Sequence, residues 1–216
     1  QMAIREFTGM EFPVVNCETL IDMTIDNSGN NLVVNGEHFS LSFDKKDGFI
    51  NSYEVYGKQV IANESKLMPN FWRANTDNDY GASLQRKQMV WENPEFELKA
   101  FDSKVLDNGT VGVTVKYNVP RVKGTLTLTY NIANTGTIEV KESFDATEGE
   151  EIANMFRFGM RVAIPDSFCN VEYFGRGPVE NYSDRKSSTF VGRYSSTVDE
   201  QFYGYIRPQE AGNKTD

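Results

Sequence analysis

Apolar residues recur along this chain mostly at every second position. In His38-Phe39-Ser40-Leu41-Ser42-Phe43-Asp44 the alternation puts Phe39, Leu41 and Phe43 on one face of a strand. Lys45-Lys46-Asp47-Gly48 then reads as a turn, and residues 49–56 return as the partner, so 38–56 is predicted to be a hairpin. Asp107-Asn108-Gly109 marks a second hairpin, between 97–106 and 110–119. Asn134-Thr135-Gly136 marks a third: it joins 124–133, with Leu126, Leu128, Tyr130 and Ile132 inward, to 137–144. The alternation returns over 155–162, and 170–174, 190–194 and 201–206 are shorter strand candidates. Only 82–91 has helical character, without a clean apolar stripe, and Asp26-Asn27-Ser28-Gly29-Asn30-Asn31 is a polar turn cluster. Strands joined by hairpins, with no strand–helix alternation and no internal repeat, predict an all-β, antiparallel architecture. Residues 1–18 read as a lead-in, and 1–216 as a single β-sandwich domain.

Composition narrows the function. A chain of 216 residues suits one all-β sandwich, and its 15 Phe and 10 Tyr suit pleated, half-buried surfaces. The net charge of −9 repels phosphate backbones, and no basic stripe interleaves with aromatics, so neither nucleic acid nor an anionic membrane is an expected partner. No apolar run approaches the roughly 20 residues that span a bilayer. No signal peptide is visible at Gln1; a soluble protein is expected, with the cytoplasm and the periplasm both open. Cys17 and Cys169 read as small buried hydrophobes, and a long-range disulfide between them has no sequence support. One histidine and no C-x-x-C give no zinc site, and no cofactor is expected.

Candidate chemistry concentrates in Gly175-Arg176-Gly177-Pro178-Val179-Glu180-Asn181-Tyr182-Ser183-Asp184-Arg185. Glycines and a proline that bend the backbone stand beside groups able to form a charge-assisted cluster: Glu180, Asn181, Tyr182, Asp184 and Arg185. Of these, Glu180, Asn181, Asp184 and Arg185 are expected to be at least partly buried and hydrogen-bonded to one another or to backbone. The string opens like a dinucleotide fingerprint, but Glu180 holds the third glycine position and no apolar-periodic helix follows. A second polar run, Trp72-Arg73-Ala74-Asn75-Thr76-Asp77-Asn78-Asp79-Tyr80-Gly81, reads as an Asx-rich turn or as a sugar-facing or ion-binding loop. It fails the calcium-loop pattern, which from Asp77 would need glycine at Ala82 and glutamate at Gln88. Arg73 is the natural partner of Asp77 or Asp79, or of Glu180 across the fold. Trp72 and Trp91 read either as core or as platforms for a pyranose face. His38 lies on the polar side of its strand, and no nucleophile elbow accompanies it, so a structural role is expected. Among 31 acidic residues no pair is singled out as the two carboxyls of a glycosidase. Four short glycosylation patterns begin at Asn63, Asn108, Asn181 and Asn213.

The string at 175–185 resembles the G-x-G-P-x-E-N-Y-x-D-R signature of the C-terminal domain of large β-galactosidases of glycoside hydrolase family 2, the β-galactosidase small chain. Phe71-Trp72-Arg73-Ala74-Asn75-Thr76-Asp77-Asn78-Asp79-Tyr80-Gly81 is similar to the family's W-R-A-x-T-D-N-D-x-G. Tyr205-Ile206-Arg207-Pro208-Gln209-Glu210-Ala211-Gly212-Asn213 is similar to its Y-x-x-P-Q-E-x-G-N. The three stand in family order and span nearly the whole chain. The resemblance implies an antiparallel β-supersandwich, galactose-mutarotase-like. It also implies catalytic glutamates in a separate upstream barrel domain, hence no catalytic residue here and an isolated chain that is inactive. The absence of a histidine base argues against mutarotase activity. Partners would be the remaining domains of the parent enzyme, with galactosides reached through the intact enzyme, and the role would be to shape the active-site mouth and subunit contacts. Family members continue with further strands, one loop of which brings a tryptophan to the galactose site. The chain stops at Asp216 before that part, so a homo-oligomeric contact near 201–216 is expected. The alternatives are a stand-alone carbohydrate-binding module of mutarotase-like fold and a ligand-free structural interaction domain.

Overall fold

The computed structural model describes residues 23–106 and 109–214. Five strands form the first antiparallel meander: β1 (Thr24–Asp26), β2 (Asn31–Asn35), β3 (Phe39–Asp44), β4 (Ile50–Val55) and β5 (Lys58–Gln59), in that spatial order. After β6 (Met68–Pro69) and a short helical stretch, four nine-residue strands form the second: β7 (Glu97–Val105), β8 (Val111–Val119), β9 (Gly124–Ile132) and β10 (Ile138–Ala146). The predicted hairpins are all present. The lead-in, Cys17 and the Asp107-Asn108 part of the second turn lie outside the described residues.

The period of two explains the core. Leu32, Val34, Leu41 and Phe43 of the first sheet and Val113, Val115, Leu126, Leu128, Tyr130 and Ile132 of the second are completely buried. The sheets meet face to face as an all-β sandwich. Phe43 packs edge-on against Tyr130 at 5.0 Å, and Phe49 stacks on Tyr117 at 5.3 Å. Two tyrosines fasten the sheets by their hydroxyls: Tyr117 donates to the Asp47 carbonyl at 2.8 Å and Tyr53 to the Gly136 carbonyl at 2.6 Å. Gly48 ends the β3–β4 turn at φ +80°, and a Cβ there would lie 2.5 Å from Val115 and 2.7 Å from the Tyr117 hydroxyl.

Three segments depart from the sequence reading. Of 155–162 only β11 (Met160–Arg161) is a strand, paired with β6. The Asn70 N–H donates to the Gly159 carbonyl beside this pair, and just before the segment the Ala153 carbonyl accepts from Trp91 Nε1. Residues 201–206 are not a strand, because Thr197 and Glu200 cap one another reciprocally and start a 3-10 turn over Asp199–Gln201. The run at 77–79 is not an Asx turn but the first turn of α1 (Asp77–Gly81). Ser83 at φ +59° breaks it from α2 (Leu84–Lys87), and a 3-10 turn over Met89–Trp91 follows. A last ribbon, β12 (Asn170–Gly177) with β13 (Phe190–Thr197), carries the glycine-rich string at its end.

Candidate functional site

The helix start at residue 76 positions the first polar group. Thr76 accepts from the Asp79 N–H, and the Asp79 carboxylate accepts from the Thr76 N–H at 2.7 Å, a reciprocal cap. This cap turns Asp79 inward, where it is 5 % exposed and accepts both arms of the Arg73 fork, at 2.5 and 3.2 Å. Burial by itself would raise the Asp79 carboxyl, but the bonds from Arg73 and Thr76 outweigh it and hold it below its ordinary range. The Arg73 guanidinium lies 4.7 Å above the Phe156 ring, and half-buried Trp72 meets the same ring edge-on at 4.9 Å. Asp77 is not part of this pair. Its carboxylate faces Arg207 at 3.2 Å, and its N–H donates to the Pro208 carbonyl at 2.8 Å. Asn78 points to solvent.

The second group sits where β12 ends. Glu180, its side chain 10 % exposed, accepts from Arg185 at 2.7 Å, from the Tyr205 hydroxyl and from the Gly212 N–H at 2.8 Å. Asn181 is fully buried. Its N–H donates to the Asn213 carbonyl at 2.9 Å and its amide to the Arg176 carbonyl at 3.2 Å, and its own carbonyl accepts from the Asn213 amide at 2.8 Å. A fully buried Asn181 cannot carry a glycan. Arg185 spans from Glu180 to the Tyr182 ring, 4.8 Å below its guanidinium, with half its side chain exposed. Asp184 is exposed and, among the described residues, bonds to none of this group. The expectation therefore holds for Glu180 and Asn181, holds in part for Arg185, half exposed but bonded to Glu180, and fails for Asp184. With the Tyr205 hydroxyl and the Gly212 N–H already donating to it, the Glu180 carboxylate draws Arg185 as a third donor and leaves no need for a second acid.

Glu210 joins the two groups. Its carboxylate lies between Arg73 Nε, at 3.7 Å, and Arg157 Nη2, while its carbonyl accepts from the Tyr182 hydroxyl. Burial, with Glu210 and Glu180 nearby, pushes the Tyr182 phenol up to about 12. The sequence reading singled out neither Glu210 nor Arg157, Tyr205 and Arg207. Their signal was present for three of them, since Tyr205, Arg207 and Glu210 all belong to the third family-like string.

Other candidates resolve as structure. Trp91 is buried, donating to the Ala153 carbonyl at 2.8 Å, and His38 is exposed and stacks on Tyr56 at 4.7 Å. Cys169 is exposed rather than buried. Among the described residues no group of three or more His, Cys, Asp or Glu is placed to hold a metal ion. No helix there is long and apolar enough to cross a membrane. Glu142 has the pKa of a general acid, pushed by burial to about 7. It faces inward from β10 beside the buried Tyr130 hydroxyl, and burial is the cause of its shift; among the described residues no neighbouring carboxylate contributes to it, as the partner in a glycosidase pair would.

All three strings thus meet at one polar junction. The family described as beta galactosidase small chain matches residues 35–216. The chain belongs to the β-galactosidase small-chain family. Over 195 residues this small-chain sequence is 32 % identical to a β-galactosidase of Priestia megaterium, covering 90 % of this chain and 18 % of that protein. A β-galactosidase of Lactobacillus delbrueckii subsp. bulgaricus is 34 % identical over 193 residues, covering 87 % of this chain. One of Streptococcus thermophilus is 30 % identical over 185 residues, covering 85 %. The chain spans 18 % of the length of each of these curated relatives.

Proposed function

We propose that this chain is a non-catalytic domain of a larger β-galactosidase that hydrolyses terminal β-galactosides, where it shapes the active-site mouth and supports subunit contacts. The observation that carries the reading is coverage: nearly all of this chain aligns with less than a fifth of each relative. The structure supports it through what the polar groups do. Arg73, Asp79, Glu180, Asn181 and Glu210 are engaged with one another and with backbone, as in a device that holds loops in place. In this reading the sheets and the ribbon together form the mutarotase-like supersandwich. The test is turnover of a chromogenic β-galactoside. The 216-residue chain is expected to give only background, and the complete polypeptide that contains it to be active. Turnover by the chain alone that disappears when one of its own carboxylates is replaced would overturn the proposal.

A further inference from the structure

The strands at the margins of the sheets are not equally protected against further pairing. β1, β5, β6 and β11 have three residues or fewer, and β7 is broken by a register shift between Leu98 and Ala100. In the last ribbon Gly175, Gly177 and Gly192 weaken both strands. β10 is long and regular: its nine residues pair in unbroken register with β9 and, among the described residues, with no strand on the other side. Its inward guard is Glu142, which shares the core-facing side of the strand with Val140 and Phe144. A charge turned inward on an outer strand opposes the addition of another strand, because the newcomer would strip its water.

A proton removes this guard. Glu142 Oε1 and the Tyr130 hydroxyl are both buried without a hydrogen-bond partner among the described residues, and burial pushes the Glu142 carboxyl up to about 7. Tyr130 is the titratable group that faces it from β9. The other inward side chains of β10 are apolar up to Phe144, and the segment that follows packs Ile152, Ala153 and Met155 on the core while Glu148, Glu150 and Glu151 stay exposed. An antiparallel pair of two β10 strands must oppose like faces, which leaves few registers. Centred on Lys141 it sets the two lysines against each other, and centred on Glu142 it sets Glu139 against Asp145. Centred on Ser143 it sets exposed Lys141 against exposed Asp145 at both ends and lays Glu142 opposite Phe144 of the second copy. We infer that β10 is the docking edge for a second copy of this chain, in antiparallel register centred on Ser143, and that a proton on Glu142 opens it. The surface is separate from residues 201–216, and the inference goes beyond the proposed function, since it draws on neither galactosides nor catalysis.

The experiment is sedimentation equilibrium of the 216-residue chain at about pH 5.5 and about pH 8.5. A dimer with Kd of about 10–100 μM is expected at the lower pH, and association at least about tenfold weaker at the higher. Glu142→Gln is expected to dimerise equally at both. Lys141→Glu and Asp145→Lys are each expected to weaken the dimer at least about tenfold at the lower pH. An equimolar mixture of these two variants is expected to restore it, since each supplies the charge that the other has reversed. Lys141 and Asp145 are exposed, so both variants are expected to keep the parent's circular dichroism and melting. Should either not fold, Glu142→Gln decides; should Glu142→Gln not fold, the mixture decides. A parent that is monomeric at both pH values up to about 1 mM, or that associates equally at both, would overturn the inference. So would association that stays pH-dependent in Glu142→Gln, or a mixture no tighter than its components.

Discussion

A single carboxylate, Asp79, shows why the junction is costly to disturb. Its side chain is 7 % exposed, and Arg73 is its only cationic partner among the described residues. Removing that partner leaves a buried charge uncompensated, so Arg73→Ala is expected to lower stability by about 2–4 kcal/mol, read by urea unfolding. Because the folded-state pKa of Asp79 lies below the unfolded 3.8, its contribution is full above that pH and disappears as pH falls through the depressed value. Arg73→Ala should therefore lose most against the parent near neutrality and least in strong acid. Glu142 works in the opposite sense. Its carboxyl is raised from 4.5 to about 7, so it is neutral at no cost below 4.5, and stability declines as pH rises from there through 7. The residue is partly rather than fully buried, so Glu142→Gln is expected to stabilise the fold by only about 1 kcal/mol at pH 8 and by nothing at pH 4. Equal melting shifts at both pH values would contradict this. Arg185 stands between these cases: it is half exposed, and Glu180 keeps two further donors without it. Arg185→Ala is accordingly expected to cost about 1 kcal/mol or less.

Among the elements, the β3–β4 hairpin is held by one backbone position. Gly48→Ala forces a side chain into left-handed backbone and into Val115 across the sandwich. A loss of about 3 kcal/mol or more is expected in denaturant unfolding, where an open turn would lose about 1. This hairpin was legible in the residues because period-two alternation and a Gly-bearing turn agree on one answer. Such agreement was absent at 155–162, where the alternation is real but no hairpin turn accompanies it, and its partner is the two-residue β6 from far along the chain. Two capping boxes, Thr76 with Asp79 and Thr197 with Glu200, were written in the local spacing, and each decides an element that strand and turn propensity misjudged. Partner choice lay beyond any local reading. Nothing near Asp77 indicates that its cation is Arg207, 130 residues away, or that Glu210 is the residue through which two strings communicate.

At the scale of the molecule, apolar burial is uneven. The buried apolar residues run from Leu32 to Ala133, whereas beyond residue 134 the buried polar side chains Asn181 and Thr189 carry the interior among the described residues. Phe174, Phe190, Val191, Phe202 and Ile206 are exposed in that later part. The two-stranded ribbon thus rests on polar ties, and an isolated pair of strands is marginal in water. Native-state hydrogen exchange is expected to protect amides of β8 and β9 up to the global unfolding energy, with β12 and β13 opening at lower cost. Uniform protection across all four strands would show the ribbon to be fully cooperative with the sandwich.

The junction that binds Arg73, Arg157 and Glu210 has a consequence for how the protein meets its solvent. Attractions between partly exposed charges fade as mobile ions screen them, whereas excluded salts such as sulfate tighten the burial of hydrocarbon. The sandwich and the junction therefore answer the same added salt in opposite directions. Ionic strength becomes a dial that loosens the union of the three strings while leaving the paired sheets firm.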